Sequence, residues 1–123
     1  MIHAMNWYGG WGMLLAAFAV GAIVGLGFWR EEFMGGYGSW QRRMVRLGHI
    51  ALAALGILNM VYGLAGIPAA GTWQAQGAGV GLLVGGVAMP LVCFLAAWRM
   101  GWRHAFAVPV CALVAAVICV LMG

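Results

Sequence analysis

His49 and His104 are the side chains best suited to chemistry in this sequence. Each stands close to the start of a long apolar run, and neutral imidazole is a common ligand for haem iron, copper or chlorophyll-type magnesium. Both runs are expected to begin at the same membrane face, which would set the two rings at neighbouring depths. A b-type haem, another tetrapyrrole or a quinone is the cofactor they could hold. The simpler and leading account has no cofactor: His49 bonds a neighbouring carbonyl, and His104 lies among head groups beside Arg103. His3 is expected at the opposite face and cannot join them.

Other polar groups are few. Asn59 and Tyr62 are one turn apart and can bond across helices. Cys93, Cys111 and Cys119 form no CxxC pair; they read as small buried apolar residues, and their odd count argues against a disulfide framework. Cys93 and Cys111 with Met89 could suit Cu(I), but no set of converging ligands is visible, so no metal site is assigned. The only acids, Glu31 and Glu32, adjoin Arg30 outside the apolar runs. Proton-coupled transport usually needs a titratable group within the membrane. The chain lacks the membrane-embedded Glu of small multidrug exporters and the Thr- and Phe-rich third helix of small fluoride channels. No catalytic residue is assigned, and no activity of its own is expected.

Composition sets the elements that must position these residues. The chain is 66% apolar and 7% charged, with a mean hydropathy of +1.02, whereas a soluble domain carries about a quarter of its residues as charges. This excludes a soluble catalytic domain and a nucleic-acid-binding surface. The expected fold is all-α, an integral membrane four-helix bundle forming a single transmembrane domain over residues 1–123. Its spans are expected at about 11–29, 44–67, 77–98 and 103–122, since each needs roughly 17 to 25 apolar residues. Pro68 stops the second run, and Pro90 should kink the third. No charged segment with a cleavage site precedes the first span, so a cleaved signal peptide is not expected.

All six basic residues are Arg. Arg30, Arg42, Arg43 and Arg46 fall in or beside the loop joining the first two spans, Arg99 and Arg103 in or beside that joining the last two. Cytoplasmic loops retain positive charge, so both termini are expected outside and the Arg loops in the cytoplasm, in a bacterial inner membrane. The same residues are expected to anchor lipid head groups. The seven Trp lie near span ends and read as interfacial belts: Trp7, Trp11 and Trp73 outside, Trp29, Trp40, Trp98 and Trp102 inside.

Membrane helices associate through small residues that let backbones approach. The first span offers Gly21 and Gly25, the second Ala53, Gly56 and Gly63, the third Gly77, Gly81 and Gly85. Stepping from His49 by alternating fours and threes reaches Ala53, Gly56, Met60 and Gly63, so His49 should face packed protein or a bound ring. The chain has 21 Gly, more smooth positions than one bundle needs, so other membrane subunits or a homo-oligomer are expected partners besides lipid. The function expected is a non-catalytic accessory subunit of an energy-transducing electron-transfer complex, respiratory or photosynthetic. The alternative is a cofactor-binding subunit using His49 and His104, and the third reading a small permease or channel.

Overall fold

Ser39 and Thr72 set where two of the helices begin. Ser39 Oγ accepts from the Arg42 amide at 3.1 Å and Thr72 Oγ1 from the Ala75 amide at 3.2 Å, each satisfying a donor that a helix start leaves free. The computed structural model describes residues 1–123. Its helices are α1 (Ile2–Phe28), α2 (Trp40–Ala65), α3 (Trp73–Trp98) and α4 (Ala107–Met122). Tight 3-10 segments at Phe33–Gly35 and Met100–Phe106 lie in the two Arg-bearing connections. All four spans are long and apolar enough to cross a membrane when Met100–Met122 is taken as one, and the architecture is a four-helix bundle compatible with an integral membrane protein. Large apolar side chains, Leu15, Phe18, Ile23 and Leu64 among them, cover its outside, as suits a lipid-facing surface.

Helix boundaries depart from the expected spans. α1 starts at Ile2 rather than near residue 11, because His3 and Asn6 interrupt the apolar run without interrupting the helix. Its 27 residues reach about 40 Å at 1.5 Å per residue, more than the ~30 Å hydrocarbon layer. α2 ends at Gly66, whose φ of 65° is left-handed, a conformation that a Cβ disfavours. α3 continues through Pro90 as one α-helix, so the proline does not divide it. Pro109 lies in the first turn of α4, where a missing amide hydrogen costs nothing.

α3 is the most enclosed helix; it packs against each of the others, and α4 rests on α3. The α1–α2 contact is close to backbone on backbone. A Cβ at Gly56 would stand 3.0 Å from the Gly10 carbonyl oxygen, and one at Gly63 would stand 2.8 Å from the Trp7 nitrogen. α4 fills the groove of Gly77, Gly81 and Gly85: their missing Cβ positions face Cys119, then Ala112 and Ala116, then Leu113. The occupant of that groove is this chain's own α4. Gly25 also departs from its expected packing role, because a Cβ there meets nothing within 4 Å. Apolar contacts among Met13, Ala17 and Leu52 join α1 to α2, while Tyr62, Ala78, Leu82 and Ala116 join α2, α3 and α4.

The bundle has two unlike ends. At one, His3 bonds the Pro68 carbonyl and Gly123 lies against the Pro68 ring, so both termini meet the α2–α3 turn. At the other lie the two Arg-bearing connections.

Candidate functional site

Four polar side chains of α1 and α2 converge at the termini end. α1 supplies His3 and Asn6, three residues apart, and α2 supplies Asn59 and Tyr62 with the same spacing, so each pair shares a helix face. α3 supplies backbone carbonyls. Asn6 Nδ2 donates to Asn59 Oδ1 at 2.7 Å and to the Gly79 carbonyl at 3.0 Å. Asn59 Nδ2 donates to the carbonyls of Leu82 at 3.1 Å and Leu55 at 2.8 Å, and stands 3.9 Å from Met13 Sδ. Tyr62 Oη donates to the Ala75 carbonyl at 2.8 Å. The result is a ladder across three helices.

Chemistry fixes the direction of these bonds. A carbonyl oxygen only accepts, so the carboxamide atoms facing Gly79, Leu55 and Leu82 must be nitrogens. Asn59 therefore turns its oxygen to Asn6, and only a donor can meet it there. Both residues are 0% exposed, so bulk water does not reach them. Asn6 Oδ1 has no hydrogen-bond partner; it lies against Gly79, where a Cβ would come within 2.7 Å of it. Gly79 thus gives the carboxamide its room.

His3 extends the ladder to the chain turn. Its Nδ1 is 3.3 Å from the Tyr62 carbonyl oxygen and its Nε2 is 3.1 Å from that of Pro68, while its ring stacks at 4.9 Å on Tyr62. Periodicity extended backward from Ala17 through Met13, Gly10 and Asn6 to His3 would have found both residues. Neither lies in an uninterrupted apolar run.

His49 and His104 are not brought together. His49 Nε2 stands over Gly21 of α1, where a Cβ would approach it to 2.7 Å. His104 is exposed after α3, accepting from Arg103 Nε at 3.5 Å. Cys93 is buried and Cys111 exposed, and no group of three His, Cys, Asp or Glu side chains converges.

The arginines divide by role. Arg42 is 4% exposed, which corrects its expected place among head groups. Its Nη2 donates to the Phe28 carbonyl at 2.7 Å and its Nη1 to that of Glu31 at 3.2 Å. Its guanidinium covers the Phe28 ring at 4.4 Å. It thereby places positive charge at the α1 C-terminus, where the helix dipole favours a cation. Arg46 donates to the Tyr37 carbonyl and covers its ring, and Arg30 lies over Trp29. Arg43, Arg99 and Arg103 are exposed. Trp40, expected in a belt, instead donates through Nε1 to the Ala96 carbonyl at 2.7 Å, joining α2 to α3.

The ladder can lock helices in register; its donors are occupied by the chain's own acceptors. Comparison with protein-family models, curated proteins and solved structures finds no match.

Proposed function

We propose that the chain is a non-catalytic structural subunit of a larger membrane assembly. The observation that carries this reading is how its polar groups are used: Asn6, Asn59 and Tyr62 donate to carboxamide or carbonyl oxygens within the chain. What remains open is a smooth groove between α1 and α3, with Gly9, Gly12 and Ala16 on one side and Val87, Leu91 and Phe94 on the other. A Cβ at Gly12 would meet nothing within 4 Å. Such a groove suits a partner's transmembrane helix, because small residues permit close approach.

Mild extraction from the native membrane followed by native electrophoresis tests this. The chain is expected in a band larger than itself, and Gly12→Leu should release it without lowering its thermal stability. Migration as a lone chain, or indifference to Gly12→Leu, would refute the reading. The narrower proposal is an electron-transfer complex of the respiratory or photosynthetic kind. Redox-active absorbance in the comigrating band is its test.

The proposed orientation has both termini outside and the Arg-bearing connections in the cytoplasm of a bacterial inner membrane. It is supported by the distribution of the six Arg, none of which lies at the other end. Reporter fusions at Gly123 and within residues 35–38 should report opposite sides, with the former external.

A further inference from the structure

We propose that the corner where α3 meets the Met100–Phe106 segment binds one anionic glycerophospholipid. α3 ends at Trp98, and Arg99 turns the chain with extended backbone angles of φ −135° and ψ 103°. The Trp102 amide then donates to the Arg99 carbonyl at 3.0 Å, folding the next turn back toward the helix. Two adjoining hollows result, each of about 390 Å³. One is lined by Phe94, Leu95 and Trp98 along the last turns of α3. The other is lined by Gly101, His104 and Ala105 at the helix end. Arg99 and Trp102 border both.

This is the polarity gradient of a phospholipid, with room for an acyl chain beside the aromatic rings and for a phosphate at the mouth. The mouth is cationic: Arg99 borders both hollows and Arg103 adjoins them in sequence between Trp102 and His104, while both carboxylates of the chain, Glu31 and Glu32, lie in the other Arg-bearing connection. Two full guanidinium charges outweigh the roughly half negative charge at the α3 C-terminus. The Arg99 side chain, like that of Arg43, is exposed. Arg42 and Arg46 donate to backbone carbonyls and Arg30 lies over Trp29, whereas the hydrogen bonds of Arg99 come from its backbone. Gly101 keeps the mouth open, since a Cβ there meets nothing within 4 Å. An anionic head group is favoured over a zwitterionic one because its phosphate charge is not cancelled by an ammonium.

Tryptophan quenching in vesicles tests the site. The purified full chain is reconstituted into phosphatidylcholine containing acyl-brominated phosphatidylglycerol or, separately, brominated phosphatidylcholine at equal mole fraction. The anionic lipid should be preferred by about fivefold, the effect of one arginine near a membrane surface. Arg99→Gln should bring that preference close to unity and Gly101→Leu should reduce it by filling the mouth. Arg43→Gln, at an exposed arginine outside the corner, should leave most of it. Equal quenching by the two lipids would overturn the proposal, as would equal losses in Arg99→Gln and Arg43→Gln, which would mark diffuse surface charge. Quenching that falls as protein density in the vesicle rises would show a second copy covering the corner, and would also overturn it. Since both leaflets carry the probe, the outcome is independent of orientation.

Discussion

Asn6 donates to Asn59 across 2.7 Å, with both carboxamides wholly enclosed. Interhelical hydrogen bonds in membranes average only about 0.6 kcal/mol, but stranding a buried donor or acceptor costs about 1–3 kcal/mol. The asymmetry decides what mutations should do. Asn59→Ala leaves the Leu82 carbonyl without its side-chain donor and is expected to destabilise by about 1–3 kcal/mol. A double-mutant cycle with Asn6→Ala should show a coupling of at least about 0.5 kcal/mol, measured by reversible unfolding in detergent. Strict additivity would show that the contact carries no energy of its own.

Glycines should respond to a methyl group according to what faces them. Gly79→Ala drives a Cβ to 2.7 Å from Asn6 Oδ1 and into contact with Ile2, and is expected to cost about 1–3 kcal/mol, the usual range for overpacking. Gly25→Ala meets open space and should stabilise by up to about 1 kcal/mol through helix propensity. Thermal unfolding of the two variants should move in opposite directions.

Arg42 and Arg43 are neighbours in sequence with opposite expectations. Arg42→Gln removes two charge-assisted bonds to carbonyls and should cost about 2 kcal/mol. Arg43→Gln, at an exposed position, should stay within about 0.5 kcal/mol of the parent. Denaturant unfolding of the pair checks this; equal losses would mean that Arg42 acts only through its charge.

His3→Ala should loosen the turn after α2 more than the bundle. It removes an imidazole set between the Tyr62 and Pro68 carbonyls, whose single N–H donates to one of them at a time, while leaving the Asn6–Asn59 contact in place. Amide exchange over residues 66–71 is expected to quicken, with little change at residues 78–82. Unchanged exchange at the turn would contradict the anchoring role.

Span number was legible because hydropathy is a local property and each apolar run is long. The common groove of Gly77, Gly81 and Gly85 was also readable from helical spacing. Its occupant was not, because spacing describes one surface and says nothing of what meets it. His3 and Asn6 were placed outside the first span since polarity in an apolar run reads as an ending, although both follow the inward stripe of α1. Arg42 was misplaced for a related reason: a charge near a helix end has the same composition signal whether it reaches outward to lipid or inward to carbonyls. His49 and His104 shared an expected depth, but depth is one coordinate, and the other two put them on different faces.

The attachment of α4 to α3 has a consequence for how the chain is made. Side-chain hydrogen bonds joining α1, α2 and α3 are closed by Ala96, so a nascent polypeptide can complete its directional pairing while its last span is still unsynthesised. α4 then joins by surface fit alone, against the groove of Gly77, Gly81 and Gly85. The contacts that specify helix order are therefore all encoded ahead of the last span, and those α4 adds are of shape alone.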